Sequence, residues 1–189
     1  MRRIAFIAAC LACAACRPSP YGPPAPPPAP PPPSTTIHVI RRTGGVYSST
    51  TTETLGVLEL LSCTAAGGAP PASTDITDPT RPYTARNGMG DELVVPANAA
   101  AAGTRISITR RAGSNRIVDA YASNRVNRAQ VALSVAGCDL TGKNPTVVRQ
   151  VTDDIWEDVG GTVSGSGSGA RITTPVLTHL SIYALAGGN

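Results

Sequence analysis

The sequence of 189 residues contains few aromatic side chains, one lysine (Lys143) and no long apolar run. Phenylalanine, tryptophan and tyrosine together make up 4% of it. The longest apolar run, from Ile4 to Ala15, is shorter than the about 20 residues that a membrane-spanning helix needs. The two histidines, His38 and His179, have no metal-ligand spacing with the cysteines. These absences argue against a retained membrane helix and against a metal site, and we expect no cofactor.

The basic charge of the chain is concentrated at its amino terminus. The formal net charge is +4, but residues 1–17 contain three of the arginines, and thirteen basic residues then face twelve acidic ones. A charge so close to balance provides no basic field for a phosphate backbone, so we expect no nucleic-acid partner. We interpret the pairs Arg41–Arg42 and Arg110–Arg111 as solvated strand ends.

The first residues have the organisation of a bacterial lipoprotein signal peptide. Two arginines precede the apolar run, and small residues lead up to a cysteine. Lipoprotein leaders place a bulky residue and two small residues before the cysteine that is acylated. Cys16 follows a run of the right length, although Cys13 replaces the usual leucine. Cys10 has the better local pattern, but only six apolar residues precede it. We predict residues 1–15 as the leader and Cys16 as the lipid site, with a plain secretory leader as the alternative.

An acylated Cys16 predicts a lipid membrane as the first partner of this protein. A thioether-linked diacylglycerol and an amide-linked acyl chain would together give stable attachment, whereas a single acyl chain gives only reversible binding. Arg17 follows the cysteine, at the position where an aspartate is the inner-membrane retention signal in some bacteria. We therefore expect a cell-envelope protein on the outer membrane, facing the periplasm or the cell surface.

The segment after the leader is rich in proline. Most residues from Pro18 to Pro33 are proline, which fixes φ and lacks an N–H group, so residues 16–35 are predicted as a disordered linker of polyproline II character. Sixteen such residues reach about 50 Å. The linker is interpreted as a spacer between the membrane and a folded domain; the alternative is a ligand for a proline-recognition domain.

Two cysteines, Cys63 and Cys138, lie outside the leader. In an exported chain an even pair predicts a disulfide, here around a loop of more than seventy residues. The alternative is two buried thiols.

The remainder of the chain has the pattern of an all-β protein. Residues 104–110 alternate, with Ile106 and Ile108 on one face, and residues 129–136 alternate in the same way. Further strands are predicted at residues 36–40, 92–96, 146–151 and 180–186, whereas residues 64–90 are expected to be irregular. Many short strands with glycine-rich turns predict an antiparallel β-sandwich. We assign residues 36–87 to its first strands and an irregular loop, and residues 88–189 to its main part.

Residues 88–187 resemble the ZU-five domain, which occurs in netrin receptors, ankyrins and bacterial surface proteins. The resemblance depends on the order of five segments: Leu93–Ala99, Gly103–Thr109, Val131–Val135, Trp156 with Gly160–Val163, and Thr178–Leu185. Asn98 replaces a glycine and Leu180 a phenylalanine of the family pattern. The resemblance implies a β-sandwich that serves as an interaction or structural module in the envelope, with an unidentified envelope protein or surface ligand as partner.

The segment His179-Leu180-Ser181 also resembles the cleavage motif of autoproteolytic sandwich domains. In that chemistry the serine hydroxyl attacks the carbonyl carbon of the preceding peptide bond, a histidine takes its proton, and water hydrolyses the resulting ester. A hydroxyl is a poor nucleophile until a base activates it, and residues two apart in a strand share a face. The alternative prediction is therefore cleavage of the Leu180–Ser181 bond, with Ser181 as nucleophile and His179 as base. The simpler interpretation is an ordinary strand in which His179 bonds a neighbour.

No other catalytic pattern is present in the sequence, and apart from self-cleavage we do not expect an enzyme. Asp153, Asp154, Glu157 and Asp158 lack the full calcium-loop pattern. We interpret these four residues as a solvated acidic turn.

Overall fold

The computed structural model describes residues 36–43 and 52–188. The chain divides into two units, Met1–Pro33 and Ser34–Asn189, and all described residues belong to the second. The leader, Cys10, Cys16 and the proline-rich segment therefore lie outside the described residues. The predictions made for them remain predictions.

The described part of the chain is all-β, as the sequence predicts. Its strands are β1 (Thr36–Thr43), β2 (Thr52–Leu60), β3 (Ser62–Ala66), β4 (Ala69–Asp75), β5 (Tyr83–Arg86), β6 (Glu92–Val95), β7 (Arg105–Arg110), β8 (Gly113–Asn115), β9 (Ile117–Ala122), β10 (Gln130–Ser134), β11 (Asn144–Gln150), β12 (Ile155–Asp158), β13 (Thr162–Ser164), β14 (Arg171–Thr173) and β15 (Ile182–Gly188). A single 3₁₀ turn, Gly167–Gly169, is the only helical element among them.

Two large sheets pack against each other as a sandwich. One has the strand order β11-β12-β1-β2-β15-β9-β7-β4, and the other has the order β13-β14-β10-β6-β5. A small sheet of β3 and β8 lies beside them. The side chains between the large sheets form the main core, which includes Ile106 and Ile108 from β7 and Leu133 from β10. These residues are the inward-facing members of the alternating patterns.

Five strands of the larger sheet close into a ring, because β11 pairs with β15 as well as with β12. Around the ring all neighbours are antiparallel except β1 and β12, where His38 lies beside Ile155 in parallel register. A second buried cluster contains the inward-facing residues of these strands, with Trp156 as its largest side chain. The pattern of the sequence did not predict this closure.

The last strand of the ring contributes to both cores. On β15, Tyr183 and Leu185 face the main core, while Ala184 and Ala186 face the second cluster inside the ring. Small residues are needed on the inner side because the ring also holds Trp156. At the end of the strand, a Cβ atom on Gly188 would lie 2.9 Å from the Leu58 side chain.

The expectation of an irregular segment at residues 64–90 is wrong in part. This segment contains β4, β5 and most of β3. Pro70 and Pro71 are tolerated in β4 because this strand lies at the edge of the sheet, where one side needs no backbone donors. The prediction also missed β9, which pairs with both β7 and β15.

Candidate functional site

The predicted cleavage motif lies just before β15 and not within it. The last strand begins at Ile182, whereas the prediction placed its start at Leu180, and the chain bends at Thr178 and His179. The bend breaks the alternation that would have placed His179 and Ser181 on one face of a strand. Leu180 is half-buried against the main core, and His179 is exposed.

Each side chain of the motif has a partner outside the predicted pair. The Ser181 hydroxyl donates to the carbonyl oxygen of Gln150 at 3.1 Å. A hydrogen bond of 2.9 Å joins His179 Nδ1 to the hydroxyl of Thr178. Across the described residues, no hydrogen bond connects His179 with Ser181. In this conformation the hydroxyl proton of Ser181 points to a carbonyl oxygen and not to a base.

The buried Tyr183 holds the backbone of the motif through a hydrogen bond. Its hydroxyl donates to the carbonyl oxygen of His179 at 2.7 Å, and its ring is fully buried. Burial raises the pKa of the Tyr183 phenol to about 12, and the nearby Arg149 charge lowers it to a smaller extent. The hydroxyl therefore stays protonated at neutral pH and holds the bend in place.

The motif is bordered by open space on two sides. A groove of about 440 Å³ lies between it and the end of β9, and a smaller depression of about 330 Å³ lies between it and the end of β11. His179 and Leu180 line both. The groove is also lined by Tyr121, which is 60% exposed, and by Arg125. Neither residue was singled out by the sequence patterns.

The two cysteines outside the leader are bonded to each other in this structure. Their sulfur atoms are 2.02 Å apart, and the two residues form an isolated antiparallel bridge between neighbouring backbones. The bridge connects Cys63 in β3 to Cys138, which follows β10, across a sequence separation of 75 residues. It joins the small sheet to the end of a core strand.

A buried ion pair was missed by the sequence interpretation. Arg110, taken together with Arg111 as a solvated strand end, is buried and donates through Nε to Asp91 Oδ2 at 2.6 Å and through Nη2 to Asp91 Oδ1. Asp91 also accepts from the backbone N–H of Ser134 and from the side-chain amide of Asn87. The signal was present in the alternation, since Arg110 belongs to the same face of β7 as the buried Ile106 and Ile108.

Arg111 is the exposed counterpart of Arg110. It donates to Asp119 through Nε and Nη2 at 3.1 and 2.7 Å, and both side chains are partly exposed to solvent. This hydrogen-bonded pair raises the pKa of the Arg111 guanidinium. The interpretation of this residue as a solvated strand end agrees with the structure, whereas for its neighbour it was wrong.

The predicted acidic turn divides into two parts. Asp153 and Asp154 are exposed, as expected. Glu157 and Asp158 instead belong to β12, where Glu157 is buried beside Arg149 and Asp158 accepts a hydrogen bond of 2.6 Å from Thr146. Because neighbouring residues of a strand point to opposite faces, the Glu157 and Asp158 carboxylates lie on different sides of β12. In the part of the chain that the structure describes, no group of three His, Cys, Asp or Glu side chains is placed to hold a metal ion.

No protein-family model matches the chain, and no curated protein matches it. Among the described residues, no helix has the length and apolar character required to cross a membrane.

Proposed function

We propose that this chain is a lipid-anchored protein of the bacterial cell envelope, and that its β-sandwich acts as an interaction or structural module. The disulfide between Cys63 and Cys138 is the structural observation that carries the proposal. Disulfides persist in oxidising compartments, to which a secretory leader delivers its protein. The disulfide and the predicted secretory leader therefore both favour an oxidising compartment outside the cytoplasm.

The resemblance to the ZU-five domain supports the module part of the proposal. Asn98 replaces a glycine of the family pattern, and it is the one non-glycine residue with a positive φ, 60°, among those described. Glycine adopts this conformation without strain, and asparagine is one of the few other residues that tolerate it. At this position the backbone conformation therefore favours glycine or asparagine, which makes the departure from the family pattern a mild one.

Mass spectrometry of the mature amino terminus tests the anchor. We expect a chain that begins at Cys16 with two lipid modifications, and a Cys16→Ser variant that no longer fractionates with membranes. Cys10→Ser is the matched control and should leave the anchor intact. A mature chain that begins at an unmodified residue beyond Cys16 would show that the protein is secreted without a lipid.

Crosslinking in the envelope fraction tests the module. The full chain, crosslinked gently in its own membrane and then purified, is expected to carry at least one envelope component. Repeated recovery of the chain alone would count against an interaction role, whatever the result for Cys16.

A further inference from the structure

The groove beside the predicted cleavage motif is formed where two paired strands separate. The Ala120 N–H donates to the carbonyl oxygen of Ser181 at 3.0 Å, which continues the pairing of β9 with β15 by one step. The chain then bends at Thr178 and His179, while β9 continues straight to Ala122 beside β7. The resulting groove of about 440 Å³ is open to solvent.

The separation leaves a short backbone edge at the groove. Ile117 in β9 and Ser123, the residue just after β9, make backbone hydrogen bonds toward β7. Ala120, in contrast, makes its backbone hydrogen bond toward β15. Because backbone directions alternate along a strand, the N–H and C=O groups of Ala122 point to the β15 side, into the groove. Within residues 36–43 and 52–188, these two groups have no backbone partner on that side. An extended peptide can pair with such an edge.

The side chains of the groove favour an anion with an apolar body. The half-buried Leu180 provides apolar surface and Tyr121 adds an exposed ring, while the lining also includes the buried Ala120 and Val126. The charged residue of the lining is Arg125, and no ion pair of Arg125 occurs in the described part of the chain. No carboxylate lines the groove. An unpaired guanidinium is well suited to bind a carboxylate through two hydrogen bonds.

We infer that this groove binds an extended peptide that places a carboxylate against Arg125, next to small apolar side chains. The peptide would pair with the backbone of Ala122 and lay its apolar residues on Tyr121 and Leu180. The inference deepens the proposed function, since it names the surface and the chemical class of partner for the interaction module. The carboxylate can come from the end of a chain or from an acidic side chain.

Fluorescence anisotropy with labelled hexapeptides tests the inference. The full chain in mild nonionic detergent is titrated with a peptide ending in Val-Leu-Ala and a free carboxylate. The same peptide with a terminal amide should bind at least about tenfold more weakly. A third peptide with a terminal amide and an aspartate in the last position distinguishes the two sources of the carboxylate. If this peptide binds as well as the free acid, the acidic side chain is a sufficient ligand and the inference stands.

Arg125→Gln and Arg128→Gln form a matched pair of variants. Both arginines are exposed, but Arg128 lies outside the groove, where it donates to the carbonyl oxygen of Ala97 at 3.4 Å. Arg125→Gln should abolish the difference between acid and amide peptides, and Arg128→Gln should preserve it. Equal binding of acid and amide by the unmodified chain, or no binding of either at millimolar peptide, would overturn the inference.

Failure of the groove inference can be distinguished from failure of the proposed function. A lipidated chain that crosslinks an envelope partner but shows no preference for a carboxylate overturns the groove assignment alone. A chain that shows the preference but begins beyond Cys16 retains the groove and loses the anchor.

Discussion

Removal of the Arg110 guanidinium should be among the most destabilising single changes in this domain. Arg110→Met retains much of the aliphatic side chain and deletes the charge and the hydrogen bonds to Asp91. The fully buried Asp91 carboxylate then loses the guanidinium that contacts it and keeps only its electrostatic interaction with the nearby Arg116. Deleting one partner of a buried ion pair typically costs about 3–5 kcal/mol. Because Ser134 and Asn87 still donate to Asp91, we expect the lower end, about 3 kcal/mol.

The neighbouring pair provides the comparison. Arg111 makes the same type of forked contact with Asp119, but both side chains are exposed by more than a third. Exposed pairs contribute about 0–1 kcal/mol, so Arg111→Met should lower the free energy of unfolding by less than about 1 kcal/mol. The two variants remove the same group from adjacent positions and differ mainly in burial.

Urea unfolding of the disulfide-bonded chain, followed by circular dichroism, measures both changes. A loss of about 3 kcal/mol corresponds to a decrease in Tm of about 6–12 °C for a domain of this size. The double variant Asp91→Asn with Arg110→Met should regain part of the loss, because an amide still accepts the Ser134 N–H without an uncompensated charge. Equal losses for Arg110→Met and Arg111→Met, or no recovery in the double variant, would refute the reasoning.

Three further predictions concern the predicted cleavage motif and the disulfide. The pKa of Tyr183 is raised to about 12 in the folded chain, above its value in the unfolded chain. The neutral phenol therefore contributes its full stabilisation below about pH 10. This contribution, about 2–3 kcal/mol, is lost as the pH rises from about 10 toward 12. Urea titrations between about pH 9 and pH 11 should show a steeper loss of stability for the unmodified chain than for Tyr183→Phe, and parallel curves would contradict the assignment. Replacing Cys63 and Cys138 by alanine should lower the free energy of unfolding by about 4 kcal/mol in the chain-entropy model. Reduction of the disulfide in the unmodified chain should have a similar effect. If neither change lowers the stability, the disulfide is not formed in solution. Self-cleavage predicts two fragments separated between Leu180 and Ser181 in the intact-mass spectrum, absent from Ser181→Ala, whereas a single full-length mass would exclude it.

Local pattern was sufficient for the fold class and for several strands. Ile106 and Ile108 alternate with polar residues, and burial of one face of a strand requires that arrangement, so β7 was predictable. The same holds for β10. The parallel neighbour of β1 was not predictable, because the pairing of His38 with Ile155 joins distant parts of the chain. No local pattern encodes such a partner.

The candidate site was predictable in its residue types and not in its geometry. The sequence places His179 two residues before Ser181, but whether the two side chains meet depends on the backbone between them. The bend at His179 lies where the segment before β15 separates from the neighbouring strand β9. This separation is a consequence of tertiary packing. Tyr121 and Arg125 carry no motif, and only the separation of the strands brings them beside His179.

The closed ring also constrains the order in which this protein can fold. Strand β1 is synthesised first among the described strands, yet it pairs with β12, and the Arg41–Asp158 contact joins residues 117 positions apart. The ring is completed only by β15, which ends at Gly188. Neither buried cluster can therefore be sealed until β15 has been synthesised, and contacts this distant in sequence form slowly. Export in an unfolded state, as the proposed function implies, would satisfy this requirement because synthesis and transport would precede folding. A chain truncated before β15 would leave both clusters open to water.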